Sequence, residues 1–146
     1  MIGKAGIAAA ALGALAMILP ATAAADSTDD YPIPNRMLKT TCTVDQYMAA
    51  VRDTSPVYYE RYMIDYKNKP PHVQQGARDR IYWFFSLDYP ARRQYSENVA
   101  TNIHYEQMAF HWPNWAKLFF NNKGVVAHAT DVCHEYPPTD PTVWNW

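Results

Sequence analysis

Three side chains that can ligate a metal ion or haem iron recur at helical spacing in the second half of the sequence. His104, Met108 and His111 stand at positions i, i+4 and i+7, so a helix running through them carries all three on one face. Imidazole and thioether groups are ligands of haem iron, and imidazoles also bind divalent metal ions. The signal is weak, since a core methionine between two boundary histidines gives the same pattern.

Tyrosine is the other residue type that points to haem. Tyr58 and Tyr59 are adjacent in a predicted helix, where their rings could wall a flat porphyrin and a phenol oxygen could ligate its iron. The chain contains eleven tyrosines. Because tyrosine combines apolar bulk with a polar tip, this excess fits a groove for an amphipathic ligand and equally a small core whose hydroxyls bond to the backbone. The sequence leaves both interpretations open.

An aromatic stretch over residues 111–124 and the tryptophans of the C-terminal tail form a second candidate site. The aromatic residues of the stretch cover more than one helical face, so some belong to the core and others could dock a protein or a ligand. The tail could cover the bundle or stay free as a recognition segment. The predicted docking surface consists of Trp112, Trp115, Phe119, Trp144 and Trp146.

Catalytic signatures are missing from the sequence. It contains no nucleophile elbow, phosphate loop, zinc-protease helix motif or glycine-rich dinucleotide fingerprint. Without residues 1–25, the chain has 12 basic and 14 acidic residues, a net charge of −2, which argues against a nucleic-acid binder. We therefore expect a non-enzymatic domain that binds an unidentified protein or small molecule, with no catalytic residue and no required cofactor. Haem or metal binding is the alternative.

The N-terminus has the pattern of a signal peptide. Lys4 is the only charge before Asp26, and residues 7–19 form an apolar run that is too short for a bilayer, which needs roughly 20 residues. Small residues then precede Asp26, as signal peptidase requires. We expect residues 1–25 to be cleaved and the protein to be secreted, to the cell wall or beyond. An uncleaved N-terminal anchor is the alternative, and no second apolar run of membrane length follows.

Two cysteines frame the rest of the chain. In an exported protein, Cys42 and Cys133 are most simply paired in one disulfide, with two buried thiols as the alternative. The loop between them is about 91 residues long. Closing a loop of this length stabilises a domain by roughly 4–5 kcal/mol in the chain-entropy model.

Prolines and capping residues divide the chain into short helices. Thr43 and Gln46 have the spacing of a capping box. Pro56, Pro90 and Pro113 each suit the first turn of a helix, where no backbone N–H is needed. With no hairpin signal, these features predict an all-α fold, a small bundle of about five or six short helices closed by one disulfide.

The helices that carry the candidate sites lie in the second half of the chain. The pattern predicts a long helix over 91–110, a short one over 113–120 and a last one over 125–133, with Gly124 as a left-handed C-cap between the last two. The predicted organisation is a signal peptide at 1–25, an extended leader at 26–41, a helical domain at 42–135 and a Pro/Trp-rich tail at 136–146.

Two stretches resemble a known family. RDRIYWFF at 78–85 and WPNWAKLFFNN at 112–122 stand inside the cysteine frame, behind the signal peptide. This arrangement resembles a family of small secreted mycobacterial proteins described as a domain of unknown function. The resemblance covers roughly residues 40–146 and implies no activity, cofactor or catalytic residue.

A weaker similarity is to mycobacterial haemophore-type proteins, which are exported, helical and closed by a disulfide between early and late cysteines. They too have a proline at a helix start about twenty residues before the last cysteine, as Pro113 stands to Cys133. Tyrosine and histidine ligate haem in that family. By residue type alone, this similarity implies Tyr58 or Tyr59, His104 and His111 as haem ligands.

Overall fold

The computed structural model describes residues 30–102 and 104–146, and this part of the chain is helical with no strand, which confirms the all-α prediction. The predicted signal peptide lies outside the described residues. None of the described helices has both the length and the apolar character needed to cross a membrane. The α-helices are α1 (Asn35–Lys39), α2 (Val44–Thr54), α3 (Pro56–Lys67), α4 (Pro71–Ser86), α5 (Tyr89–Thr101), α6 (Gln107–His111), α7 (Pro113–Phe119) and α8 (Lys123–Val132), with 3-10 turns at Cys133–Glu135 and Pro141–Trp144.

Helix α2 forms the centre of the bundle. Its first eight residues, from Val44 to Val51, are all buried, as expected for a helix with neighbours on every side. Helices α3, α4 and α8 and both 3-10 turns pack against it. The hydroxyl of the fully buried Tyr47 donates to the Leu118 carbonyl at 2.6 Å, so a hydrogen bond also joins α7 to the central helix.

The predicted disulfide is confirmed. Cys42 and Cys133 are bonded, with their Cα atoms 6.2 Å apart, and both residues are buried. Cys42 lies just before α2 and Cys133 directly follows α8. The bond therefore fixes the last α-helix beside the central one.

The helix starts follow their local signals. The Thr43 side chain accepts from the Gln46 N–H at 3.1 Å, and the Gln46 side chain accepts from the Thr43 N–H at 2.9 Å, so the predicted capping box is present. Pro56, Pro90 and Pro113 lie in the first turns of α3, α5 and α7, as predicted. These starts depend on residues a few positions apart, which is why the sequence reveals them.

The single long helix predicted over 91–110 is wrong, because α5 and α6 occupy this range as separate helices. Glu106 accounts for the interruption. Its buried carboxylate accepts from Arg80 Nε at 2.8 Å and from the Met108 N–H at 3.1 Å, so it caps α6 and anchors it to α4. A tertiary ion pair here overrides the local helical pattern.

The predicted extended leader is wrong over its second half. Helix α1 spans Asn35–Lys39, and Met37 and Leu38 are buried in the core. The buried Arg92 side chain of α5 donates to the carbonyls of Met37 and Thr40 at 2.9 and 2.8 Å. These carbonyls at the end of α1 lack an intrahelical partner, and the guanidinium satisfies them from another helix.

Gly124 is not a left-handed C-cap, so this prediction is also wrong. It lies inside α8, and no glycine in the described part of the chain has a positive φ. The Asn122 side chain accepts from the Val125 N–H at 3.1 Å and caps α8 instead. Asparagine is among the strongest N-cap residues.

The tail over 136–146 folds back on the bundle, which decides between the two alternatives left open above. Val143 is fully buried, and its carbonyl accepts from the Tyr59 hydroxyl at 2.8 Å. The buried Asp45 carboxylate accepts from the Asp140 N–H at 2.6 Å. Side chains of α2 and α3 therefore hold the tail through its backbone.

Candidate functional site

Three of the residues predicted to form a docking surface belong to the core. Trp115 and Phe119 are fully buried, and Trp112 is only 3% exposed. Trp115 and Phe119 have no exposed surface with which to dock a partner, so the prediction is wrong for these two, and the small exposed part of Trp112 is too little for a protein partner. All three are buried because α7 packs against α3, where the rings of Trp112 and Tyr62 stack with their centroids 5.2 Å apart.

The two tail tryptophans retain exposed surface. Trp146 is 49% exposed. Trp144 is half-buried; its ring lies 5.3 Å from that of Tyr66, and its indole N–H donates to the Tyr82 hydroxyl at 3.1 Å. Trp144 therefore attaches the tail to the bundle, and a docking role by exposure remains open to Trp146.

A surface groove brings one tryptophan together with two of the predicted ligand residues. It has a volume of about 340 Å³ and lies where the end of α3, the start of α4 and helix α6 meet. We refer to it as the α6 groove. Its lining residues are Lys69, Val73, Gln107, Met108, His111 and Trp112.

Local sequence signals build the walls of the α6 groove. Pro70 and Pro71 start α4 directly after Lys69, which places this lysine at the corner between two helices. The Trp112 N–H donates to the Met108 carbonyl at 2.9 Å and closes α6. Pro113 then begins α7. The short α6 is thus held at both ends, by the Glu106 cap described above and by this turn.

The rim of the groove carries positive charge. The Lys69 ammonium lies 5.0 Å from the centroid of the Trp112 ring, a cation–π contact, and 3.5 Å from a carboxylate oxygen of Asp65. The other oxygen of Asp65 accepts from the Asn114 side chain at 3.2 Å. The lysine is partly exposed, and an ion pair of this kind contributes about 0–1 kcal/mol. Lys69 is therefore free to exchange its partner at little cost.

Two buried donors on the stacked rings of Trp112 and Tyr62 lack an acceptor. The indole N–H of Trp112 and the hydroxyl of Tyr62 are buried without a hydrogen-bond partner. Burial raises the pKa of Tyr62 well above 10, which keeps the phenol protonated. A buried N–H or O–H without an acceptor costs roughly 1–3 kcal/mol. Such groups are uncommon in native proteins and indicate a place where a ligand atom can contribute.

A family model matches most of this chain. The model of a family described as a domain of unknown function, DUF5078, matches residues 28–146. The chain belongs to the DUF5078 family. This match confirms the predicted membership in a family of unknown function and extends the matched range to the N-terminal side of α1. No curated protein matches the chain.

The residues that the haem hypothesis named do not share one site in this DUF5078 chain. His104 lies in the turn between α5 and α6 and is exposed. The prediction that it shares one helix face with Met108 and His111 is therefore wrong. Tyr58 lines a separate depression beside α8. The Tyr59 hydroxyl already donates to the tail, as described above. The groove therefore gathers Met108 and His111 from the five candidates.

Cysteine and histidine also come together at the disulfide. Ligand atoms of Cys42, Cys133 and His134 lie within 4.8 Å of one another. The sulfurs are bonded to each other, and a metal needs thiolates, so this cluster is not a metal centre in the oxidised DUF5078 chain. The His134 ring and the Thr41 hydroxyl are hydrogen-bonded at 2.9 Å.

Sequence reasoning missed Lys69, Val73 and Gln107 as lining residues of the groove. Val73 lies in the first turn of α4 and Lys69 lies between α3 and α4, and neither position indicates a ligand site. The groove arises where three helices meet, and it involves residues about forty positions apart. A single sequence contains no signal for that proximity.

Proposed function

We propose that this chain is an exported, non-enzymatic helical domain that binds a small apolar or amphipathic molecule in the α6 groove, at or outside the cell envelope. The N-terminal pattern supports export, and so does the disulfide, because such bonds persist in oxidising compartments. N-terminal sequencing of the secreted protein should find a mature chain that starts at Asp26. An N-terminus at Met1 in the secreted or membrane fraction would contradict cleavage.

The composition of the groove is the observation that carries the binding role. Its volume of about 340 Å³ falls within the roughly 300–1,000 Å³ of small-molecule sites. Val73, Met108 and Trp112 supply an apolar wall, while Lys69 and His111 add a few polar groups at the rim. Small-molecule sites combine these two features, an apolar lining for affinity and a few polar groups for orientation.

Three depressions in the described part of the chain have larger volumes; the one beside Tyr58 differs little, at about 360 Å³, and the other two support a ligand less well. One of about 590 Å³, beside Tyr31 and Phe110, adjoins residues that the structure does not describe. Another of about 500 Å³ lies between the tail and the start of α2 and has a more polar lining, including Thr41, Thr43 and Thr139. The α6 groove is apolar by comparison.

Binding of an uncharged dye tests this proposal. Nile red fluoresces more strongly in an apolar site, and we expect a saturable increase with the purified mature protein. The Val73→Phe variant fills the groove and should weaken dye binding about tenfold or more. Ile64→Phe is the matched control, because Ile64 is an exposed apolar residue of α3 that does not line the groove.

Two outcomes of the dye experiment would contradict the proposal. Either no saturable fluorescence increase occurs, or Val73→Phe and Ile64→Phe weaken binding equally. Circular dichroism of both variants establishes that they are folded. If Val73→Phe unfolds the domain, Met108→Gln serves instead, since it keeps the side-chain length while making the groove wall polar.

Haem is a second candidate ligand, favoured by the shared position of Met108 and His111 in the groove. An imidazole at the rim of an apolar groove can ligate haem iron. Haemin added to the mature protein should then shift its Soret band, and His111→Ala should abolish the shift while His128→Ala, an exposed histidine of α8, leaves it unchanged. An unshifted Soret band at micromolar haemin would remove this candidate.

A further inference from the structure

We propose that the ligand of the α6 groove is an amphipathic carboxylate with a single hydrocarbon chain. The chain lies against Val73, Met108 and Trp112, and the carboxylate lies at the rim between Lys69 and His111. This inference rests on the proposed function and names the chemical class of its ligand.

The charges around the groove select an anion. Among the described residues, its lining contains a lysine and a histidine and no carboxylate. The acidic group nearest to Lys69, Asp65, lies on the α3 side of the lysine and is also held by Asn114. Glu106, at the start of α6, is buried and paired with Arg80. A ligand anion therefore meets the Lys69 ammonium, whose pairing with Asp65 is a partly exposed contact.

Lys69 is held where an anion can reach it. Its ammonium sits over the Trp112 ring at 5.0 Å, which keeps the charge beside the apolar wall. Its bond to Asp65 is a half-exposed contact at 3.5 Å, longer than a close charge-assisted hydrogen bond. A ligand carboxylate can therefore bind the Lys69 ammonium while Asp65 keeps its hydrogen bond to Asn114.

The indole N–H of Trp112 is one of six buried side-chain polar groups without a partner among the described residues. Trp112 forms a wall of the groove, is 97% buried and has no acceptor for this donor within the described part of the chain. Carboxylate oxygens are strong acceptors for N–H donors. A ligand that carries a carboxylate at one end thus complements the positive charge of Lys69 at the rim.

The apolar wall selects the rest of the ligand. Methionine is unbranched and polarizable, so Met108 adapts to a flexible hydrocarbon chain better than a rigid side chain would. Val73 and the Trp112 ring complete the wall. A small inorganic anion would make no contact with the apolar wall, and a neutral hydrocarbon would make no ion pair at the rim. An amphipathic carboxylate uses both.

Displacement of Nile red by three probes tests the inference. We expect sodium decanoate, below its micelle concentration, to displace the dye at least tenfold more effectively than decanol, and inorganic phosphate not to displace it. Lys69→Met removes the charge but keeps the side-chain stem, and it should weaken decanoate about tenfold while leaving decanol unchanged. Lys67→Met, an exposed lysine at the end of α3 outside the groove, is the control and should change neither.

Several results would overturn the inference while the proposed function stands. Equal displacement by decanol and decanoate would do so, as would Nile red binding that neither probe displaces. Equal weakening of decanoate by Lys69→Met and Lys67→Met would assign the effect to overall charge. Displacement by phosphate alone would indicate a simple anion site. If Nile red itself does not bind, the proposed function fails, and the inference fails with it.

Vesicles distinguish a free carboxylate from a lipid headgroup. Decanoate and an anionic phospholipid vesicle share an anionic group on an apolar chain. We expect the protein to bind decanoate and to stay in the supernatant when phosphatidylglycerol vesicles are sedimented. Co-sedimentation that Lys69→Met abolishes would assign the site to a membrane lipid and overturn the free carboxylate.

Discussion

Two buried tyrosine hydroxyls bond to backbone carbonyls in this protein. Tyr47 donates to the Leu118 carbonyl and Tyr59 to the Val143 carbonyl. Both side chains are buried, so their apolar rings fill the core while their polar tips close backbone bonds between distant segments. Of the two interpretations that composition left open, this one accounts for these two tyrosines.

Tyr47→Phe should lower the free energy of unfolding by about 1–3 kcal/mol, because it leaves the buried Leu118 carbonyl without a donor. Urea denaturation of the purified domain measures the change. Tyr105→Phe is the matched control, because Tyr105 is 42% exposed, and we expect it to alter stability by no more than about 0.5 kcal/mol. A loss as small for Tyr47→Phe as for the control would contradict the structural role.

Raised tyrosine pKa values make stability depend on alkaline pH. Burial and a hydrogen bond to Asp45 raise the pKa of Tyr82 to about 12, and burial also raises the pKa of Tyr59 and Tyr62 above 10. The unfolded chain therefore releases these protons first as pH rises above 10. The stabilising contribution is complete below pH 10 and is lost as pH rises from 10 through 12.

Thermal unfolding between pH 8 and 11.5 checks this dependence. We expect the Tm to fall increasingly above pH 10, and Tyr82→Phe to reduce the slope because one of the contributing phenols is gone. An equal slope in Tyr82→Phe and the unchanged protein would show that Tyr82 does not contribute.

At the scale of elements, the C-terminal tail is part of the domain. Gln46 on α2 donates to the Tyr136 carbonyl at 2.9 Å, and the Thr43 hydroxyl donates to the Pro138 carbonyl at 2.6 Å. Val143 then enters the core. The start of α2 therefore anchors the tail, because its capping residues bond to the tail as well as to each other.

Val143→Ala should destabilise the whole domain by roughly 2 kcal/mol, since it removes two buried methyl groups and leaves a cavity. Trp146→Ala, at the exposed end of the same tail, should change stability by no more than about 0.5 kcal/mol. Urea denaturation of the two variants makes the comparison. Equal midpoints for Val143→Ala and the unchanged protein would mean that the tail is detached in solution.

Element boundaries differ in how far the sequence predicts them. The capping box at Thr43 and the three proline starts depend on neighbouring residues, and all four were predicted correctly. The break between α5 and α6 was missed, because Glu106 is fixed by Arg80, 26 positions earlier. Helix α1 was missed for a similar reason, since its end is satisfied by Arg92 of another helix.

At the scale of the whole molecule, the disulfide joins two elements that lie far apart in the sequence. Cys42 and Cys133 are 91 positions apart, and the bond holds α8 against α2. Within residues 30–102 and 104–146, eight α-helices of 5 to 16 residues make up the bundle. Helices shorter than about 12–15 residues are marginal in isolation, so tertiary packing and this covalent link supply their stability.

Reduction of the disulfide should lower the free energy of unfolding by about 4–5 kcal/mol, because the unfolded chain regains the entropy of a long open loop. We expect urea denaturation with a phosphine reductant to show one earlier, still cooperative transition. A Cys42→Ser, Cys133→Ser double variant without reductant should match it. Equal midpoints with and without reductant would contradict a role for the bond in the whole domain.

The sequence by itself determined the all-α class, the starts of α2, α3, α5 and α7, the disulfide and the family of unknown function. These depend on local capping chemistry, on the only two cysteines and on two aromatic stretches. The tertiary structure alone decided which aromatic residues are core and where a ligand can bind. Trp112 and Trp115 are buried because α7 packs on α3, and the α6 groove forms because Arg80 and Glu106 fix α6 beside α4. Such contacts join residues far apart in the chain, so the local spacing of residues does not predict them.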